Sequence, residues 1–517
     1  MPGEPSVLGT SATPAPTPHW AGEHPLLAHP RLCDALVAEI GSTTTVVSAF
    51  DGLADWPLAG PPRLLGQGVA ATTVLQGDVG LGVDAARAEL EAATGPLAPA
   101  ITLATSSAAG GLRMTVHGLT GKMTAMAARA AALGAGGVVE YQTAGKLSDH
   151  DLARIDEVAP GLLLLAGGVE GGDTETVLAN AQRLTEIDSR PIVVYAGNSA
   201  ACDQACAMLG DAGFRVRVAA NVYPGIDELD ITPARAAIHD AFEEHIVHAP
   251  GMQRIGELVS GRILPTPGAV LIAAEILAAE AGDLVVVDVG GATTDVHSVT
   301  DGSPEYRALA TEPQPHARRT VEGDLGTFVS ARHVAALLPE AERLDALPPA
   351  IPASAGEIVA AAVLARTAAV TAVERHAGHF AHFYTPTGRQ TVVRGRDLTA
   401  CRLVIGTGGA LTRLPGGQAM LEAVRSGARA DGARGSVRVT ASGGIAAADR
   451  LLPPADARCL LDRDYVFAAC GALSAHFAPG AVAALMRASV GLTAPAAPAS
   501  AGAAVAAAVP GAPPEES

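Results

Sequence analysis

Aromatic residues make up only 3% of this 517-residue chain, and its six cysteines (Cys33, Cys202, Cys206, Cys401, Cys459 and Cys470) are widely scattered. Cysteines so sparse build no disulfide framework, which excludes a small stapled scaffold and makes a reducing cytoplasm the expected compartment. Positive charge is also short: 35 Lys+Arg stand against 53 Asp+Glu, a net charge of −18. That balance argues against nucleic acid and against anionic membranes as general partners. Uninterrupted apolar runs are missing too, since the best candidate, "GAVLIAAEILAAEAGDLVVV", is broken by Glu275, Glu280 and Asp283 and offers no membrane span. The first thirty residues hold no Lys or Arg, so they lack the charged start of a secretory leader.

The chain does have length, with room for roughly two to four domains. Residues 1–34 are Pro-rich around "TPAPTP", and 479–517 form an Ala/Pro/Gly tail ending "GAPPEES". Both are expected to be poorly ordered, because small side chains bury little area to offset chain entropy. Between them, "ALVAEIGSTTTVVSAFDG" reads as a strand, a turn at Gly41-Ser42 and a second strand ending at Asp51-Gly52. "DLVVVDVGGATTDVHSVTDG" repeats this layout around Asp288, Gly290-Gly291 and Asp301-Gly302. Two copies of one hairpin imply a duplicated architecture.

From about 100 to 245, the strands "AITLATSS", "GLLLLAGG", "PIVVYAGN" and "FRVRVAANV" alternate with helical stretches such as 174–187 and 199–212. That rhythm predicts a mainly parallel sheet covered by helices. The expected organisation is a first lobe over 35–100, an inserted α/β domain over 101–250 and a second lobe over 251–478. The second lobe holds a helix-rich stretch at 320–385 and a last strand and turn, "CRLVIGTGGALTRLP".

A tight Gly-containing turn exposes backbone N–H groups, and neighbouring hydroxyls add donors, an arrangement suited to phosphate oxygens. A carboxylate ending the leading strand suits hydrated Mg²⁺, which takes few protein ligands and keeps several waters. On these grounds Gly41–Thr44 and Gly290–Thr293 would clamp terminal phosphates from opposite sides, while Gly406–Gly409 approaches the nucleoside.

With these motifs the chain resembles the actin/Hsp70/sugar-kinase ATPase superfamily: "EIGSTTT", "DVGGATTD" and "VIGTGGAL" match its phosphate-1, phosphate-2 and adenosine motifs in order. "LPTPGAVLIAAEILA" and "FAACGALSAH" are placed like its two connecting helices. Within that superfamily, "TSSAAGGLRM", "LAGGVEGGD", "YAGNSAA" and "RTVEGDLG" resemble the glutamate mutase accessory protein, or GlmL-type (MutL), family over roughly 35–475.

The resemblance implies an α/β, two-lobed actin-like (ribonuclease H-like) fold and a slow ATPase. Its role would be to reactivate an adenosylcobalamin-dependent mutase or aminomutase, with cobalamin on the partner rather than on this chain. Carried over by position, Glu39 and Asp288 would face water-coordinated Mg²⁺ and the attacking water. Gly41, Ser42, Thr43, Thr44, Gly290, Gly291 and Thr293 would cradle the phosphates of ATP, and Gly406, Thr407, Gly408 and Gly409 would border the adenosine. Where relatives carry Asp, this chain has Glu39, one methylene longer. Three other readings stay open: a sugar-type small-molecule kinase, a nucleotide-dependent scaffold without turnover, and an activator of a radical dehydratase, against which the scattered cysteines argue. A homodimer is also left open.

Several motifs are decoys. "VHGLTGKM" mimics a Walker A end but has Val116 in place of the first glycine and Met123 in place of Ser/Thr. "DVHSVT" lacks the glycine of a His-on cobalamin signature, with Thr300 in its place, so His297 reads as a strand residue. His376, His379 and His382 recur every third residue near a helix end, but on a helix the third lies about 240° around from the first. Cys202 and Cys206 are an i, i+4 pair without a further ligand and read as packed thiols. "AGGVEGGD" and "AGNSAA" each end a strand, where open sheets bind ligands, and equally serve as compact connections.

Overall fold

The computed structural model describes residues 30–58, 60–107, 112–249, 251–386, 388–425 and 450–493. Most of the Pro-rich start, part of "TSSAAGGLRM" and the tail beyond 493 lie outside these residues.

The first lobe contains β1 (Arg31–Ile40), β2 (Thr44–Asp51), β3 (Arg63–Ala71), α1 (Val79–Thr94) and β4 (Leu97–Ser106). Strand β1 is covered on both sides, which is why it is apolar almost throughout. Leu36, Ala38 and Ile40 enter one core and Ala35 and Val37 the opposite one, as the two-residue period of a strand requires.

The inserted domain follows with β5 (Leu112–Gly118), α2 (Thr124–Gly134), β6 (Gly137–Ala144), α3 (Asp149–Val158), β7 (Leu162–Leu165), α4 (Glu175–Leu184), β8 (Ile192–Tyr195), α5 (Cys202–Asp211), β9 (Val216–Val218) and α6 (Thr232–Ile246). Its sheet is parallel throughout, in the order β6-β5-β7-β8-β9. After α7 (Ile255–Leu258), β10 (Ile263–Pro265) returns to the first lobe and continues into α8 (Thr266–Ala281).

The second lobe has β11 (Leu284–Val289), β12 (Thr294–Val299), α9 (Pro304–Arg307), β13 (Ala317–Glu322), α10 (Ala331–Ala335), α11 (Ala355–His376), β14 (His379–Thr385), β15 (Gly388–Arg394), β16 (Leu403–Thr407), α12 (Gly409–Thr412), α13 (Gly417–Glu422) and β17 (Arg458–Leu461). The chain then crosses back with α14 (Phe467–Leu473) and α15 (Pro479–Val490).

The duplication is legible strand by strand. The first sheet runs β3-β2-β1-β4-β10 and the second β13-β12-β11-β16-β17. In both, the first three strands pair antiparallel and the remaining two add parallel. This is the two-lobed, ribonuclease H-like α/β arrangement expected from the hairpins. The lobes share a core in which Ala35 and Val37 of β1 and Leu284 and Val286 of β11 pack with residues of α8, α14 and α15. At the crossing of α14 and α8 a Cβ on Gly471 would lie 2.0 Å from the Ala269 carbonyl oxygen, so only glycine allows the contact.

Four expectations need correction. The strand "AITLATSS" belongs to the first lobe, where β4 pairs parallel with β1, so the insertion starts after Ser106 rather than at 101. Residues 31–34, assigned to the disordered start, begin β1. Residues 479–490, assigned to the disordered tail, form α15, whose Val482, Leu485, Met486 and Val490 are buried. His379 and His382 lie on β14, because α11 stops at His376. Helix α11 is long and apolar enough to cross a membrane, yet its Leu364, Ala368, Ala369 and Val373 are buried against the second sheet.

Candidate functional site

Both hairpin turns close in the same way: Gly41 N–H donates to the Thr44 carbonyl at 2.9 Å, and Gly290 N–H to the Thr293 carbonyl at 2.9 Å. The two turns approach each other closely, since a Cβ on Gly291 would lie 3.8 Å from Thr43 Cγ2, an ordinary van der Waals contact. Each turn is braced from outside. Thr72 holds the first through its N–H to the Thr43 carbonyl and its hydroxyl to the Gly41 carbonyl. The segment 327–330, just past "RTVEGDLG", holds the second, with Thr327 N–H on the Gly290 carbonyl and Phe328 and Val329 N–H on that of Gly291. With the carbonyls occupied outward, rigid turns of this kind suit an anion.

Glu39 ends β1 and Asp288 occupies the same place in β11. Burial pushes the Glu39 carboxyl up to about 7, opposed by the Tyr465 hydroxyl, which donates to Glu39 Oε1 at 2.7 Å. Tyr465 takes a left-handed φ of 51°, a strain of roughly 1 to 3 kcal/mol for a non-glycine residue that aims its hydroxyl into the cleft. Burial, then the charges of Asp295 and Glu39, hold Asp288 well above the usual carboxylate range. Asp462 joins this acidic floor. It is fully buried and accepts hydrogen bonds from Thr407 Oγ1, the N–H groups of Val466 and Phe467, and Ser489 Oγ. The Arg413 guanidinium lies 5.7 Å from the centre of the Tyr465 ring.

The third turn supplies less surface than its sequence implies. Gly406 is packed among Leu411, Leu421 and Leu461, and the Thr407 hydroxyl is bound to Asp462 at 2.9 Å. Gly408 and Gly409 remain. Gly408 has φ 85°, and a Cβ there would lie 2.5 Å from Asp288 Oδ1, so glycine is required on both counts.

Sequence reasoning missed Asp462 and Tyr465. Asp462 follows β17 as Thr266 follows β10, and Thr266 bonds Thr105 as Asp462 bonds Thr407. That shared place after the last strand of each sheet is the signal in the letters that marks it. The decoys resolve plainly: His297 is fully buried in β12 and Cys202 Sγ lies 3.9 Å from Cys206 Sγ. "AGGVEGGD" and "AGNSAA" bond each other, through Glu170 to Ser199 and Asn198 to Gly172. A cavity of about 530 Å³ lies away from the cleft, and its Asp301, Arg396 and Asp397 are spent on His316, the Pro315 and His316 carbonyls, and the Ser303 N–H.

The floor gathers carboxyl groups whose burial holds their protons, and the oxygens they present on ionising are the donor chemistry that fits a hydrated divalent cation. The raised Glu39 value has a consequence for stability. The folded chain holds this proton more tightly than the unfolded one, so the contribution is complete below about 4.5 and is lost as pH rises through about 7. Without nucleotide and divalent cation, this one carboxyl should therefore contribute a downward slope in melting temperature between about pH 5 and 8, opposed by the buried histidines His117, His239, His297 and His376, whose burial lowers their values. Glu39→Gln should flatten that slope; differential scanning calorimetry across pH reads it, and an unchanged slope refutes the assignment.

Duplicated lobes, a shared core and a carboxylate-floored cleft between glycine hairpins define an actin-like ATPase fold. The chain belongs to the MutL protein family, whose pattern it matches over residues 35–490. It is 35% identical over 411 residues to Protein MutL of Clostridium tetanomorphum, covering 73% of this chain and 86% of that protein. The resemblance to the glutamate mutase accessory family drawn from the motifs is thus borne out.

Among solved structures, a glycerol dehydratase reactivase is 12% identical over 73% of this chain and 92% of its own, with a TM-score of 0.24. The Aquifex aeolicus Ppx/GppA phosphatase is 10% identical over 74% and 69%, with a TM-score of 0.22.

Proposed function

We propose that this chain is an ATP-dependent accessory protein that reactivates an adenosylcobalamin-dependent mutase, glutamate mutase or a related amino-acid mutase or aminomutase. Membership of the MutL family supports the partner class. The observation that carries the ATPase half is the pair of identically closed hairpins, Gly41–Thr44 and Gly290–Thr293, facing each other above Glu39 and Asp288.

In this reading the N–H groups and hydroxyls of Ser42, Thr43, Gly291 and Thr293 hold the terminal phosphates, and Gly408 and Gly409 border the adenosine. Glu39 and Asp288 would hold Mg²⁺ through water, and the ion would supply charge neutralisation at the phosphates. Glu39 and Asp288 orient the attacking water, and Tyr465 fixes the Glu39 carboxyl. Little covalent chemistry is asked of the protein, so turnover depends on positioning. Nucleotide joins the two lobes, and its hydrolysis releases them to remodel the bound mutase.

The test is recovery of glutamate mutase activity after inactivation by cyanocobalamin. Recovery on adding this protein with Mg²⁺ and ATP, and none without nucleotide, is the expected result. Failure to recover, with phosphate appearing instead on a small metabolite, would turn the assignment to a sugar-type kinase.

A further inference from the structure

The cradle threonine Thr293 donates its hydroxyl to Asp295 Oδ2 at 3.2 Å. The other oxygen of the same carboxylate, Oδ1, accepts Arg319 Nε at 2.8 Å and Nη2 at 2.6 Å. Arg319 then reaches out of its own lobe: Nη1 donates at 2.9 Å to the carbonyls of both Leu133 and Gly137. Those carbonyls flank the turn between the end of α2 and the start of β6 in the inserted domain. Both Asp295 and Arg319 are buried, the latter 2% exposed.

The turn they hold is wedged against the rest of the molecule. A Cβ on Gly136 would lie 2.6 Å from Pro265 Cβ, and His239 Nε2 is 3.1 Å from the Ala135 carbonyl oxygen. Arg235 of α6 bridges in two hydrogen bonds to Glu275 of α8. His297, directly across from Arg319 on the neighbouring strand, is fully buried, and neither ring nitrogen has a hydrogen-bond partner among the described residues. A junction that leaves such a group unmet is not at its best-satisfied arrangement, which favours a second one.

We propose that Thr293, Asp295 and Arg319 form a relay that reports the occupancy of the phosphate cradle to the inserted domain through the Leu133 and Gly137 carbonyls. It rests on the nucleotide-binding reading above. The physical step is simple: a threonine hydroxyl has one proton to donate. When it turns to a phosphate oxygen, Asp295 loses a donor and leans wholly on Arg319, whose grip on the two carbonyls is redistributed. Arg319 touches no ligand and acts as a positioning residue. Ligand-dependent bias of this kind between two arrangements is what couples distant sites.

Amide hydrogen exchange, with and without the slowly hydrolysed analogue ATPγS and Mg²⁺, tests this. Wild-type protein should show exchange over residues 124–140 changed about fivefold or more on saturation, in line with ordinary coupling between sites. Arg319→Lys keeps a cation beside Asp295 but not the planar fork that spans two carbonyls. It should bind nucleotide within about threefold of wild type by calorimetry while the 124–140 response falls below about twofold. A full response in Arg319→Lys, or none in wild-type protein whose cradle residues 288–295 become protected, overturns the relay and leaves nucleotide binding standing. Absence of both cradle protection and calorimetric binding in wild-type protein sinks the two readings together. The wild-type comparison decides the matter even if Arg319→Lys fails to fold.

Discussion

Asp288→Ala should reduce ATP turnover by about a thousandfold or more, the scale on which a group positioned at developing charge contributes. Glu39→Asp should preserve or raise it. The two substitutions differ because of where the carboxylates end: Asp288 already has the short side chain, whereas Glu39 sits one methylene further out. Loss of turnover in Asp288→Ala is separable from unfolding. Burial, then the charges of Asp295 and Glu39, hold the wild-type carboxyl well above the usual carboxylate range, so removing it takes away a buried group that is costly to ionise in the nucleotide-free state. Phosphate release should collapse while the melting temperature stays level or rises; turnover equal to wild type would remove Asp288 from the mechanism.

Asp462→Ala should show the reverse: a large loss of stability. Asp462 is the shared acceptor for Thr407 on β16, for Val466 and Phe467 at the entry to α14, and for Ser489 on α15. Alanine strands these buried donors, at a cost on the order of 3 kcal/mol or more. Urea unfolding followed by tryptophan-independent circular dichroism should show an earlier midpoint, with Asp462→Asn between the two. A wild-type midpoint in Asp462→Ala would mean that the donors find other partners.

How much of this could be read from the letters depended on the range of the interactions. The two hairpins are local, a strand, a glycine turn and a strand, and their chemistry is carried by adjacent residues, so "EIGSTTT" and "DVGGATT" announced both the duplication and the candidate cleft. The connecting helices were placed correctly for the same reason. Sheet membership is not local: "AITLATSS" looks alike whether it starts an inserted domain or completes the first lobe, and only its pairing with β1 decides. The run from His376 to His382 misled because a helix end and the strand after it read as one continuous period. Residues 479–490 read as a tail in the sequence because their small side chains imply little burial, yet Val482 and Met486 close the shared core. Tyr465 and Arg319 reach partners 426 and 186 residues away, Glu39 and Leu133, and no spacing rule extends that far; Asp462 acts over 4 to 55 residues and is marked in the letters only by its likeness of place to Thr266.

The contact of Gly471 with Ala269 has a mechanical meaning. Where two helices meet through side chains, rotamer changes let them slide; where backbone meets backbone, as here, sliding drives atoms together and only rotation about the point of contact remains. A contact of this kind would join the two lobes like the blades of scissors at a rivet, so that any opening of the site above Glu39 and Asp288 would be by an angle. A bulky residue in place of Gly471 would act as grit in that rivet, separating the blades without touching their edges.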